Sequence, residues 1–155
     1  MGNVKLDYKE LEKLKEQIEK FGDPTQMDQF LTSCAKELAT RLLAKVIKRT
    51  PVGQYPKETG KKGGTLRRGW TGGKSANATA FANSMDVNRV GTDYVIEIIN
   101  PVEYASYVEF GHRTRNHKGW VEGKFMLTIS EDEIRRSAPR ILENKLKNYL
   151  KGCFK

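Results

Sequence analysis

Few residues in this chain have the types and spacing to do chemistry, and their surroundings argue against most of it. His112 and His117, the two histidines, lie five residues apart in a basic segment. Glu109 could join His112 at a metal, but no cysteine is near, and Arg113 and Arg115 oppose a cation. Glu103 and Glu109 suggest paired carboxylates for acid–base work. Six residues apart on a short helix they point to different sides, which favours ion pairs with Arg or Lys instead. Ser106 lies outside any nucleophile-elbow context. The glycines of Gly60-Lys-Lys-Gly-Gly64 look superficially like a phosphate loop, yet they lack the GxxxxGK[ST] spacing and a preceding strand. These observations predict no catalytic residue, no metal and no cofactor, and so a protein that is not an enzyme.

The elements that would carry these residues follow from hydrophobic spacing. Asp7-Tyr-Lys-Glu10 reads as a capping box opening an amphipathic helix over 1–22, with Leu11, Leu14, Ile18 and Phe21 on one stripe. That stripe is narrow, so the helix needs a surface to dock on. Asp23-Pro24 breaks it. A second helix is predicted from near Thr25 to about Arg49, with Thr25 and Asp28 as caps. Met27, Leu31, Cys34, Ala35, Leu38, Leu42 and Val46 share a face, widened by Phe30, Ala39, Leu43 and Ile47. Such breadth marks it as the central core helix.

Residues 51–64 hold four Gly, two Pro and three Lys without apolar period, a mobile loop. Thr65–Trp70 reads as a short strand with Leu66 and Trp70 inward, followed by a flexible stretch from Gly72 to Ala80. Ala82–Val90 and Asp93–Asn100 give the clearest β signal, with a turn at Gly91. Tyr104–Phe110 reads as a short helix, or alternatively as an irregular strand. A polar, basic loop spans 111–123, and Lys124–Ile129 returns as a strand. Ser130-Glu-Asp-Glu133 is read as the box opening a last helix, whose inward residues are Ile134, Ala138, Ile141, Leu142, Tyr149 and Leu150, and which Pro139 should kink or split. The fold class is therefore α+β: a small antiparallel sheet packed against a long central helix and a C-terminal helix. The N-terminal helix (1–22) is an addition to a single domain over 25–151, with mobile loops at 51–64 and 111–123.

Composition bounds the function classes. A chain of 155 residues, 37% hydrophobic and 30% charged, suits one domain with a real core. No apolar run approaches the ~18 residues of a membrane span, and the charged first twenty residues lack a secretory h-region. Cys34 and Cys153 lie far apart, so two reduced thiols are favoured over a disulfide, as in a protein made in a cytosol. The net charge of +9 is uneven: residues 51–75 hold six Lys/Arg against one Glu, whereas residues 1–24 hold five Lys against six acids. Such basic charge reads either as a solvated loop or as a surface for nucleic acid or an acidic protein.

The aromatic residues divide by context. Trp70, Tyr94, Tyr104 and Phe110 are expected in the core. Trp120 sits in a polar loop where no apolar period would bury it, so it reads as an interface anchor, and Tyr55 reads the same way. With Lys61, Lys62, Arg113, Arg115 and Lys118 they form the candidate assembly interface.

Four blocks carry a resemblance: Thr50-Pro51-Val52, the Leu66-Arg67…Trp70 step, Tyr104-Ala105…Val108-Glu109-Phe110-Gly111, and Phe125-Met126. In that order they resemble the neck proteins of long-tailed bacteriophages, also called tail-completion or head–tail joining proteins. The resemblance covers roughly residues 27–150. It departs from the family pattern in the 51–64 insertion, between the proline-valine step and the Thr65 block. The resemblance implies a structural virion protein at the head–tail junction, assembled in the bacterial host cytoplasm and without a membrane partner. It implies a homo-oligomeric ring, sixfold, that joins or completes the tail and touches neighbouring neck, tail-terminator or tail-tube proteins, with phage DNA passing transiently through it. A tail terminator of the same junction is one alternative. A sequence-independent nucleic-acid-binding protein is the other, resting on the charge and on Tyr55, Trp70 and Trp120 near basic residues.

Overall fold

In the computed structural model, residues 16, 19, 22–73 and 77–153 are described. The predicted N-terminal helix therefore lies outside the described residues, except that Glu16 and Glu19 are helical.

Helix α1 spans Pro24–Arg49. Its start lies slightly earlier than the sequence suggests. Asp23, read as part of a breaker, is the N-cap, and its carboxylate accepts from the Thr25 amide at 2.9 Å. Pro24 fits the first turn, where its missing N–H costs nothing. Asp28 is used elsewhere, as acceptor for the Tyr94 hydroxyl at 2.8 Å. At the other end Thr50 stops the helix, with Pro51 behind it to prevent continuation. The deepest burial falls on Cys34, Ala39, Leu43 and Val46. Leu38 and Leu42, expected at the centre of the face, are only half-buried.

After a 3-10 turn at Lys57–Thr59 come two short helices, α2 (Thr65–Gly69) and α3 (Ala78–Ser84). Both correct an expectation. Thr65–Trp70 is not a strand, and the segment beginning at Ala82 is the end of a helix capped by Asn77, whose Oδ1 accepts from Ala80 N at 2.7 Å. Leu66 and Trp70 do point inward, because either backbone can bury two residues four apart. Strands β1 (Asn88–Val90) and β2 (Asp93–Val95) form an antiparallel hairpin that pairs Val90 with Asp93 across Gly91-Thr92. Beyond Val95 the chain keeps the alternation of a strand without a ladder partner. Ile96 and Ile98 pack on the core while Glu97 and Ile99 face outward.

Helix α4 (Ala105–Phe110) follows, as expected. Where the sequence predicts a loop over 111–123, β3 (Gly111–Arg113) and β4 (Trp120–Glu122) make a second antiparallel hairpin. Helix α5 (Met126–Cys153) closes the chain. It absorbs Met126–Ile129 of the strand expected at Lys124–Ile129, and Ser130–Glu133 lies inside it rather than capping it. The helix continues through Pro139. Ser137 Oγ donates to the Glu133 carbonyl at 3.0 Å in the turn just before the proline.

The core is one cluster: Ala39, Leu43 and Val46 of α1, Leu66 and Trp70, Ala82 of α3, and Met126 of α5. This is an α+β fold in which the two hairpins are small and the two long helices dominate. Arg49 and Lys45 near the end of α1 both reach Glu133 of α5, Lys45 at 2.8 Å, and so tie the helices together.

Candidate assembly surface

Two hydrogen-bonded knots hold the motif residues, and a group of exposed aromatic side chains surrounds the second. The first knot centres on Thr50. Its hydroxyl donates to the Val46 carbonyl at 2.6 Å and accepts from the buried Trp70 indole N–H at 2.8 Å. Its carbonyl accepts from Arg67, at 2.8 Å from Nη2 and 3.2 Å from Nε. Thr50 is fully buried, so these bonds satisfy groups that would otherwise be stranded away from water. Asn100 extends the knot by donating to the Leu66 carbonyl at 2.8 Å. Gly69 is required there, since a side chain on it would collide with Asn100 and Val102.

The second knot centres on Glu109, which is buried at 6% exposure. Its carboxylate accepts from the Leu127 and Thr128 amides, both at 2.9 Å, and from the Thr128 hydroxyl at 2.7 Å. These amides belong to the first turn of α5, whose N–H groups have no partner within the helix. A carboxylate at this positive end of the helix dipole is favourable twice over, as acceptor and as charge. The expected ion pair between Glu109 and Arg or Lys does not form; the helix terminus takes its place. Phe125 N also donates to the Glu109 carbonyl at 3.0 Å, and Lys124 N to that of Val108 at 2.8 Å. Gly111 adopts a positive φ, and a side chain on Gly123 would strike the Glu109 carbonyl. The chain thus crosses itself tightly, fixing α4 against the start of α5.

Against this rigid frame the aromatic residues of α4 face outward. Tyr104 is 44% exposed, Tyr107 59% and Phe110 61%. Tyr104 and Phe110 were expected in the core. Glu109 occupies the inward position instead, and a six-residue helix with a buried carboxylate has only Ala105 and Val108 left to pack. Phe110 makes an edge contact with Phe125, ring centres 6.4 Å apart, and Tyr107 tilts over His112 at 5.8 Å. Trp120 is 55% exposed and stands opposite Arg113 in the hairpin. An open groove of about 360 Å³ runs beside Phe110, lined also by Ile98, Ile99, Ala105 and Leu127.

The predicted interface residues fall into two places. Tyr55 is half exposed, with Lys61 6.0 Å from its ring centre, and Lys62 joins it around a crevice that Tyr104 and Val108 also line. Arg113, Arg115, Lys118 and Trp120 lie on the second hairpin, continuous with the end of α4. Both places therefore border α4. Of the remaining motif residues, Thr50, Leu66, Trp70 and Met126 are buried, Ala105 and Val108 half-buried, and Pro51, Val52 and Phe125 exposed. Tyr107 carries no sequence signal of an interface residue beyond its place on α4.

No reactive group stands out at this surface. Cys34 is a free thiol buried in α1, and burial pushes its pKa up, away from the nucleophilic thiolate. Among the described residues no group of three or more His, Cys, Asp or Glu could hold a metal ion, and no helix is long and apolar enough to cross a membrane.

An α+β body built on two long helices, with exposed aromatic side chains around α4, is suited to contact with other proteins. Residues 12–111 match the model of the HK97-gp10-like family, described as "Bacteriophage HK97-gp10, putative tail-component". The match spans more than half of the chain, and the protein belongs to this family of bacteriophage tail components. It includes the Thr50, Leu66 and Trp70 residues of the first knot and Glu109 of the second, and stops before Phe125-Met126 and the Leu127 and Thr128 donors. No curated protein and no solved structure matches the chain significantly.

Proposed function

We propose that this tail component is a structural protein of the phage head–tail junction, not an enzyme, and that it assembles as a homo-oligomeric ring joining or completing the tail at the neck. The observation that carries the reading is the outward aromatic face of α4, held on a frame that Glu109 pins to α5. Exposed aromatic groups on a rigid element are what a protein interface uses, since they bury much area at little entropic cost. Tyr104, Tyr107, Phe110 and Trp120 supply that area, and the neighbouring apolar groove gives a face for the next subunit or for a neighbouring neck, tail-terminator or tail-tube protein. A heterologous contact of this kind closes into a ring when the rotation between neighbours is a whole fraction of a turn.

The test is the mass of the purified protein in solution, alone and with tails that lack it, together with joining of filled heads to those tails. The expected result is a ring-sized species and restored joining. Tyr107→Ser with Phe110→Ser should abolish both while leaving the thermal melt of the subunit unchanged. A subunit that stays monomeric with tails present, while the tails still join heads without it, overturns the proposal. Trp120→Ala should weaken joining without lowering the subunit's melting temperature, because the indole is more than half exposed before assembly.

A further inference from the structure

On the long helices Arg41, Lys45, Arg49, Arg135, Arg136 and Lys147 each sit on a carboxylate, while Lys36, Lys48, Arg140, Lys145 and Lys151 of the same helices have none among the described residues. Lys57, Lys61, Lys62, Arg113, Arg115 and Lys118 are exposed and have no carboxylate partner among the described residues. They occur in two segments of unusual composition. Residues 53–64 contain no Val, Leu, Ile, Met or Phe and a single acid, Glu58; residues 113–119 contain none of these at all.

Both segments are shaped by their backbones. The first is pinched at its base, where a side chain on Gly63 would collide with the Gly53 carbonyl, so Lys57, Lys61 and Lys62 lie on a closed loop. The second is a hydrogen-bonded tip: Thr114 N donates to the Gly119 carbonyl at 3.0 Å, and His117 N to the Thr114 carbonyl at 2.8 Å. The Asn116 side chain accepts from Lys118 N at 3.1 Å, which leaves Arg115 and Lys118 outward.

We infer that these two segments bind the phosphate backbone of double-stranded DNA without reading its sequence. Protein interfaces are depleted in lysine and need a desolvated apolar centre; the first segment holds three lysines, and neither segment holds an aliphatic side chain larger than those of Pro and Thr. The aromatic face of α4 has that character, and it lies between them. Uncompensated ammonium and guanidinium groups on glycine-rich backbone are what phosphate contact requires, since counterion release needs charge and access rather than shape. Neither segment offers a helix or a ribbon long enough to enter a groove and read bases. The site borders the protein contacts proposed above, at Tyr104 beside Lys62 and at Trp120 opposite Arg113, and does not depend on a ring.

Fluorescence anisotropy with a labelled duplex of arbitrary sequence tests this on the full chain. Binding should be indifferent to sequence and should weaken steeply between about 50 and 200 mM salt, with a log–log slope of about −0.9 for each phosphate contacted. Replacing Lys57, Lys61 and Lys62 together by Ser should reduce that slope by roughly two to three and cost tenfold or more in affinity at low salt. The control is Arg140→Ser with Lys145→Ser on α5, exposed to half-buried cations without an ion pair, and it should change little. Equal losses in the control and the loop variant mean diffuse attraction by net charge, and the proposal falls. It also falls if poly-L-glutamate competes as well as DNA charge for charge, since the segments then serve an acidic protein surface.

Discussion

The indole N–H of Trp70 donates to the hydroxyl of Thr50 at 2.8 Å, inside the core and across twenty residues of chain. The bond joins the residue that ends α1 to the residue that ends α2. It makes the two motif blocks one structural unit. Thr50→Val keeps the shape and removes the acceptor, stranding a buried donor at a cost of about 1–3 kcal/mol. Trp70→Phe removes the donor. In urea denaturation, the double variant should be less destabilised than the sum of the two single changes, with a coupling of about 1 kcal/mol. Strict additivity would show that the bond contributes nothing of its own.

Glu109 should behave as a helix cap rather than as an acid or a salt-bridge partner. Glu109→Ala leaves the Leu127 and Thr128 amides unsatisfied and is expected to cost about 2–3 kcal/mol. Glu109→Gln keeps one acceptor and should fall between. Amide exchange at Leu127 and Thr128 should accelerate more than at the middle of α5. Uniform acceleration along the helix would mean the carboxylate acts only through global stability.

Core position separates two leucines of α1. Leu43 is fully buried, so Leu43→Ala should cost about 2–5 kcal/mol. Leu38, half-buried on the flank, should cost clearly less. Thermal melts that rank them the other way would contradict the packing of α1 described above.

Acid should loosen the junction of α1 with α5 in a defined window. Hydrogen bonds from Arg49 and then Lys45 lower the Glu133 carboxyl to about 2, from an ordinary value of 4.5. A depressed native pKa stabilises the fold above the unfolded value and is lost as pH falls from about 4.5 through about 2. The group is partly exposed to solvent, so the effect is small and weakens with salt. Glu133→Gln should flatten the acid limb of the stability profile in that window and leave the neutral limb parallel to wild type. An unchanged acid limb would remove Glu133 from the account.

Much of the architecture was legible in the chain itself. The periodicity of Cys34, Ala39, Leu43 and Val46 with their neighbours specifies a long buried helix, because helical spacing and burial are properties of contiguous residues. The short helix at α4, the turn at Gly91, the inward Leu66 and Trp70 and the exposed Trp120 follow equally from local pattern. The blocks from Thr50 to Gly111 were enough to place the protein among phage tail components, as the match over residues 12–111 bears out.

Tertiary contacts decided the rest. Thr65–Trp70 and Lys124–Ile129 read as strands because β-branched and apolar residues in short runs fit either backbone. In the fold, neither run has a strand to pair with. Met126–Ile129 becomes the first turn of α5, with a carboxylate from eighteen residues before Leu127 capping it. Glu109 itself looks like a surface charge when only its neighbours are read. Its burial follows from a backbone crossing at Gly111 and Gly123 that no local pattern encodes, and the same crossing turns Tyr104, Tyr107 and Phe110 outward. Spacing along the chain fixes which residues share a face; which face meets the core depends on partners distant in sequence.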